Sequence, residues 1–316
     1  NKLAIVMNQT VEAGSPMPYL LSLLLKAADR RGIAMEQIEL LLAENLPVKM
    51  LRKIFQEKQI DGILLMTSNF TGEEAVVDKL KALKLPVVLP HGEIGDSLRT
   101  GFASVVVDER RAFGETIRRM LESPCEHIVI LGRETEGYRL ARGFTTPELE
   151  GALGERLHSI VYASYDLADI ARLVDRLYTA EGPKPDAFVC FSDLYAIFLS
   201  IVLKERGLRI PEDVSVMGFS GMCCDFQVML ELTGVKYRYE AMINATLDLM
   251  LRHTEWFSPD YPPSAPVVVE DYDFTIGKSV ATSVKTTAKS DFTGFSAAEA
   301  PALPERRPST AAARTF

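Results

Sequence analysis

The sequence has no Cys-x-x-Cys pair, and its four cysteines and four histidines form no set with metal-ligand spacing. That removes zinc-ribbon and thioredoxin-like readings, and no metal or cofactor is expected. Cys125 and Cys190 sit beside strand-like runs and read as small buried hydrophobes. Adjacent Cys223 and Cys224 would need a strained vicinal disulfide to act as a redox pair. Reduced thiols in a cytoplasmic protein are the expectation. Long apolar runs are missing too. The longest, Leu20 to Leu25, is broken by Ser22 and closed by Lys26, well short of the roughly 18 residues of a membrane span. No charged-then-apolar leader opens the chain, which starts at Asn1 and runs directly into Leu3–Met7. A fragment or a processed chain is expected. Basic residues are in deficit: the net charge is −8. Counterion release on nucleic acid needs clustered Lys and Arg, so direct contact with DNA is not expected of this piece.

Loops that cradle phosphates are absent. No GxGxxG follows a strand and no GxxxxGK[ST] occurs, which excludes the usual dinucleotide and P-loop sites. Gly218-Phe219-Ser220-Gly221 follows a strand but lacks Gly-x-Ser-x-Gly spacing, and Ser220 has no histidine partner in a suitable order. His91, alone at a strand end, reads as a hydrogen-bonding wall residue more readily than as a base. Glu73-Glu74 reads as a helix N-terminal charge and Glu134/Glu136 as a solvated loop. With no nucleophile–base pair, the chain is not expected to be an enzyme.

What is present is regular alternation. Strand-like runs are Leu3–Met7, Met35–Leu41, Asp61–Met66, Pro86–Leu89, Ser104–Val107, His127–Leu131, Leu157–Tyr162, Asp186–Phe191 and Asp213–Phe219. Most are continuous rather than alternating, as expected for strands buried on both faces of a parallel sheet. Between them lie helical patterns at Pro18–Arg31, Val48–Lys58, Glu73–Leu83, Arg110–Leu121, Leu167–Thr179 and Leu194–Arg206. This is the pattern of a doubly wound α/β protein. The alternation restarts after Val107, and 316 residues suit two units better than one. Helix Pro18–Arg31 is apolar around most of its circumference, leaving Ser22, Lys26, Asp29 and Arg30 as a narrow polar stripe. Two readings follow: a dimer partner covers the second apolar face, or the helix is deeply buried. Prolines 259, 262, 263 and 266 break any helix before a last strand over Val267–Phe274. Residues 278–316, rich in Ala, Thr, Ser and Pro, read as a disordered tail or as a segment that docks on a partner.

Ligands of open α/β sheets sit beyond the carboxyl ends of the strands. Those positions hold Asn8, Gln9, Thr67, Ser68, Asn69 and His91, then Asp108, Arg133, Glu134, Ser192, Asp193 and Ser220. Mostly neutral hydrogen-bonding groups suit a polar, largely uncharged ligand better than a phosphate.

Several segments together resemble the LacI/GalR family of transcription regulators. Gly207-Leu208-Arg209-Ile210-Pro211-Glu212-Asp213-Val214-Ser215-Val216-Met217-Gly218-Phe219 is similar to the family's G-x-x-I-P-E-D-V-S-V-x-G-F stretch. Phe191-Ser192-Asp193-Leu194-Tyr195-Ala196 resembles A-N-D-x-x-A, and Val105-Val106-Val107-Asp108 resembles V-x-x-D at a lobe crossing. Asp61-Gly62-Ile63-Leu64-Leu65 and Leu232-Thr233-Gly234-Val235-Lys236 resemble D-G-I-I-L and L-T-T-V. The likeness runs from about Leu3 to Ile276. It implies a periplasmic-binding-protein-like fold of two doubly wound parallel-sheet lobes joined by three crossovers. It also implies a small-molecule effector closed between the lobes and a side-by-side homodimer. The family's DNA-binding domain, through which operator DNA is held, is expected to be missing here. Three family anchors differ: Ser220-Gly221 stands where sugar binders have Asp, Leu140 where they have Arg before Gly143-Phe144, and Ser192 where they have Asn. Arg139 is one step from that Arg position, about 100° away on a helix. Losing hydroxyl-pairing groups changes which ligand fits.

The expected division is 1–107 plus 238–262 for the first lobe, 108–237 plus 263–277 for the second, and a tail from 278. Candidate effector contacts are Asn8, Gln9, Ser68, Asn69, His91, Asp108, Arg139, Ser192, Asp193, Ser220 and Tyr237. The rival readings are a periplasmic solute-binding protein and a dimerisation core that has lost effector binding.

Overall fold

The computed structural model describes residues 1–8, 17–68, 70–135, 138–139, 147–221, 231–258 and 265–282, with backbone alone at 134–135, 138–139 and 148. Two separate sheets carry the fold. The first has six strands in the order β12-β5-β4-β3-β1-β2, all parallel. These are β1 (Lys2–Met7), β2 (Ala34–Glu39), β3 (Gly62–Leu65), β4 (Val87–Gly92), β5 (Ala103–Val107) and β12 (Val267–Glu270). The second runs β13-β11-β10-β9-β6-β8. It contains β6 (Ile128–Thr135), β8 (Leu157–Ala163), β9 (Ala187–Cys190), β10 (Ser215–Gly218), β11 (Thr233–Tyr237) and β13 (Tyr272–Thr275). Only its edge strand β13 is antiparallel, while two-residue β7 (Tyr138–Arg139) folds back on the end of β6.

Helices α1 (Met17–Arg30), α2 (Leu40–Asn45), α3 (Val48–Glu57), α4 (Ala75–Ala82) and α5 (Asp96–Thr100) belong to the first unit. The second holds α6 (Glu109–Leu121), α7 (Pro147–Leu153), α8 (Leu167–Thr179) and α9 (Asp193–Glu205), after which α10 (Tyr239–Leu251) returns to pack on α1, β4 and β5. Three helices begin on side chains that cap free backbone N–H groups. Asp108 accepts from Arg111 N at 2.9 Å, Asp166 from Asp169 N at 2.8 Å, and Ser192 from Tyr195 N at 3.3 Å. The Ile-Pro-Glu-Asp turn has a local cause as well: the Asp213 carboxylate accepts from Arg209 N and Nε at 2.8 Å, closing the bend ahead of β10.

One apolar core, from Ile5 and Met242 to Phe113, Ile130 and Val189, is continuous across both sheets. Separate clusters fill the far faces, around Leu51 and Phe55 in the first unit and Val174 and Leu199 in the second.

Three expectations need correction. Residues 263–277 do not all go to the second lobe, because β12 pairs with β5 in the first sheet and β13 with β11 in the second, on either side of Asp271. What read as one strand over Val267–Phe274 is therefore two, and the third crossover falls between them. The segment from 278 does not start as a free tail. Ser279 is buried, donates to Val216 O at 2.6 Å and accepts from Thr233 N at 2.8 Å, and Ala281 N reaches Ser215 Oγ at 3.0 Å. Small residues fit where a larger side chain would not, and that composition reads as tail in sequence. Residues beyond 282, with Cys223 and Cys224, lie outside the described residues. Finally, α1 is not deeply buried: Leu20, Leu24 and Ala28 face the core while Tyr19 and Leu25 are exposed.

Candidate functional site

The carboxyl ends of the two sheets supply the candidate cleft. From the first unit come Asn8 just past β1, Ser68 past β3 and His91 at the end of β4; Ser68 and His91 are half-buried and Asn8 is exposed. Their rim is organised by buried Asp96, whose carboxylate accepts from Phe70 N and Glu93 N at 2.9 Å and pairs with Arg99 at 3.7 Å. Gln9 and Asn69 lie outside the described residues.

The second unit's side is more tightly built. Asp108 and Ser192 are N-caps, so each already holds a helix N–H, although the Ser192 hydroxyl keeps its own O–H to donate. Asp193 is fully buried, its N–H reaches Phe219 O at 3.0 Å, and its carboxylate lies against Gly218, where a Cβ would overlap it. Ser220 has a left-handed backbone, φ 79°, and its buried Oγ has no hydrogen-bond partner among the described residues. Arg139 lies on β7, with its side chain outside the described residues.

Two tyrosines that were not among the sequence candidates stand beside these, together with Arg133 from the strand-end positions. Tyr195 and Tyr165 stack at 4.4 Å, and the Arg133 guanidinium lies 5.3 Å from the Tyr165 ring centre. The Tyr195 hydroxyl donates to Ala163 O at 2.5 Å. Arg133 was readable as a strand-end residue; Tyr165 and Tyr195 carry no signal of their own, because an aromatic residue in an α/β chain is ordinarily core.

At the crossovers, rings run continuously from one unit to the other. Phe113, Phe191 and Phe219 meet pairwise at 5.3 Å, Phe219 meets Tyr237 at 5.6 Å, and Tyr237 meets Tyr239 at 5.7 Å. His91 closes the series, 6.3 Å from Tyr237 and 6.4 Å from Tyr239. Burial lowers the His91 pKa, so its imidazole is neutral. Tyr237 is buried and donates its hydroxyl to Glu109 Oε1 at 3.1 Å. Burial, and then the nearby Glu93 carboxylate, push Glu109 up to about 7.

The chemistry available is recognition. The neutral hydroxyls, imidazole and rings can hydrogen-bond and stack on a small molecule. The buried Cys190 thiol is pushed far above its ordinary pKa by burial, which removes it as a nucleophile. No described helix is long and apolar enough to cross a membrane.

Comparison with known proteins agrees with this architecture. A family model described as a periplasmic binding protein-like domain matches residues 117–280, just over half the chain. The chain is similar to the HTH-type transcriptional repressor PurR of Aliivibrio fischeri, 27% identical over 176 residues, covering 54% of this chain and 50% of the relative. It is also similar to catabolite control protein A of Priestia megaterium, 27% identical over 182 residues, covering 56% and 53%. The chain thus spans about half the length of these curated relatives. Among solved structures, a LacI family transcriptional regulator from Arthrobacter sp. FB24 in complex with lactose superposes with a TM-score of 0.66 at 16% identity, covering 89% of this chain and 99% of that one. Two parallel-sheet lobes and these matches place the chain in the periplasmic binding protein-like domain family, with the core architecture of the LacI-type regulators.

Proposed function

We propose that this chain is the effector-sensing and dimerisation core of a bacterial transcription regulator, and that it binds a small polar, sugar-like molecule between its lobes without chemical conversion. The lobes are taken as 1–107 with 238–270, and 108–237 with 271–282. Effector contacts are assigned to Asn8, Gln9, Ser68, Asn69 and His91 on one side and to Asp108, Arg139, Ser192, Asp193 and Ser220 on the other. Tyr237 stands at the crossover between them, and Arg133 with Tyr165 is added to the second side. One observation supports the reading: strand-end residues of the two sheets meet at the crossovers, where His91 lies 6.3 Å from Tyr237 and Tyr237 lies 5.6 Å from Phe219. The relatives' names supply the setting, as a repressor and a control protein.

An effector that prefers one lobe arrangement shifts the balance between open and closed states; equal affinity for both would switch nothing. A homodimer in the cytoplasm then passes the shift to a DNA-binding domain outside this chain. The exposed outer face of α1, with Tyr19 and Leu25, is assigned to the dimer contact.

The test is thermal unfolding of the chain against sugars, sugar acids, polyols and nucleobases. Ligand at about 100 times its Kd adds about 2.7 kcal/mol. A shift confined to one class, lost in His91→Ala and Ser220→Ala together, supports the cleft. A folded, dimeric chain that responds to none of them points to the dimerisation core without an effector.

A further inference from the structure

We propose that the effector is a polyhydroxy carboxylate, a sugar acid rather than a neutral sugar, and that Arg133 is the residue that selects it. This deepens the cleft reading and rests on it.

Strand register places the groups. In the second sheet β6, β9 and β10 lie side by side, with Leu131 opposite Cys190 and Val189 opposite Met217. Carried past the ladder, that register sets Arg133 level with Ser192, and Ser192 level with Ser220. The strands stay joined there, because Phe191 N reaches Leu131 O at 2.9 Å and Asp193 N reaches Phe219 O at 3.0 Å. Neighbouring strands are about 4.8 Å apart, so Arg133 and Ser220 stand roughly 10 Å apart with Ser192 between them. One small molecule lying across these strand ends meets a cation at one end and hydroxyls along the rest.

The cation is held in one orientation. Arg133 is half-buried, and its guanidinium lies 5.3 Å from the centre of the Tyr165 ring. Tyr165 stacks in turn on Tyr195 at 4.4 Å, and Tyr195 is tied by its hydroxyl to Ala163 O on β8. A ring contact uses the face of a guanidinium and leaves the N–H fork at its edge to hydrogen-bond. A planar fork in a fixed orientation matches the two oxygens of a carboxylate. Tyr165 is then a positioning residue and Arg133 the group that touches the ligand. Ser192 keeps its O–H to donate, and the buried Ser220 Oγ has no hydrogen-bond partner among the described residues, so both can serve ligand hydroxyls.

A phosphate suits this row less well. It needs several donors, and α9, which starts at this level, already uses its own: Tyr195 N bonds Ser192 Oγ and Asp193 N bonds Phe219 O. The acidic groups around the row are engaged elsewhere. Asp193 lies against Gly218 on the β10 side, away from β6. Asp166 caps α8, and Asp169 accepts from Ser164 N at 2.9 Å and pairs with Arg172 at 3.3 Å.

The experiment is isothermal titration of the whole chain with gluconate, glucuronate and galacturonate, each beside its neutral counterpart, glucitol, glucose or galactose. A glucose phosphate is the competing anion. At least one acid should bind about tenfold or more tightly than its counterpart. Arg133→Gln should weaken that acid by about tenfold to a hundredfold and leave the neutral compound unchanged. Arg133→Lys, which keeps the charge and loses the fork, should fall between, and it carries the comparison if the glutamine variant does not fold. Neutral sugars binding as tightly as the acids would overturn the proposal and leave the cleft reading standing. So would an acid whose affinity is the same in wild type and both variants, or a glucose phosphate that outbinds every acid. A folded chain that binds none of these compounds would overturn the proposal and the cleft reading together.

Discussion

The two sides of the cleft are built to different tolerances. On the second lobe Asp108 and Ser192 hold helix N–H groups, Asp193 presses on Gly218, and Tyr195, Tyr165 and Arg133 form a stack. On the first lobe Asn8, Ser68 and His91 sit at half-exposed or exposed strand ends, and Asp96 ties the rim through Phe70 N and Glu93 N. The second lobe is thus a preorganised template and the first a more adjustable cover. If the lobes bind a ligand between them, ordering one side in advance lowers the entropy lost on binding.

The largest expected effect tests the template. Tyr195 is fully buried, stacks on Tyr165 and donates to Ala163 O. Tyr195→Ala should cost about 3–5 kcal/mol in urea unfolding, as for other buried aromatic residues cut to alanine. A loss below about 1 kcal/mol would mean that the second lobe relaxes around the gap and is no template.

A matched pair of glycines sharpens the comparison. In the second lobe, a methyl group on Gly218 would overlap Asp193 Oδ1, while on Gly92 in the first lobe it would meet Ser104 Cβ at 3.3 Å, within reach of a small adjustment. Gly218→Ala should cost about 1–3 kcal/mol, the usual penalty of overpacking, and Gly92→Ala clearly less. Equal losses would erase the difference between the lobes.

Much of this architecture is legible in the residues. Continuous apolar runs such as Gly62–Leu65 and Val105–Val107 suit parallel strands covered on both faces, and most of the strands follow from that rule. What escapes has little pattern to offer. Strand β11 holds Thr233 and Gly234 and gains its burial from β10 and β13 rather than from its own hydropathy. The break between β12 and β13 falls at a single residue, Asp271, inside one alternating run. In the cleft, strand ends such as Ser68, His91 and Ser220 follow from the alternation and the rule for open sheets. The stack of Arg133 on Tyr165 joins residues 32 apart in sequence, and the contact of Glu109 with Tyr237 joins residues 128 apart. Such pairings exist only once the chain is folded.

Ser220 offers a smaller effect of opposite sign. Its φ of 79° is a conformation in which a residue with a Cβ is strained. Ser220→Gly should therefore stabilise the chain by up to about 1 kcal/mol. If Ser220 contacts the effector, the same change weakens ligand binding while raising the melting temperature. Stability and affinity falling together would instead make its role structural.

Proton linkage separates the lobes by sign. His91 on the first lobe has its pKa lowered by burial, so its contribution is present above the ordinary histidine pKa and lost as pH falls through the folded value. Glu109 on the second is raised to about 7, so its contribution is full below the ordinary carboxylate pKa and lost as pH rises to 7. Between pH 5 and 7 the two slopes oppose and partly cancel. His91→Gln should unmask the carboxyl, so that relative to wild type its stability falls as pH rises across that window. Glu109→Gln should unmask the imidazole and fall as pH drops. Urea midpoints at half-unit intervals read both slopes. Parallel curves for the two variants would show that burial shifts neither group, whereas crossing curves assign opposite proton preferences to the two lobes.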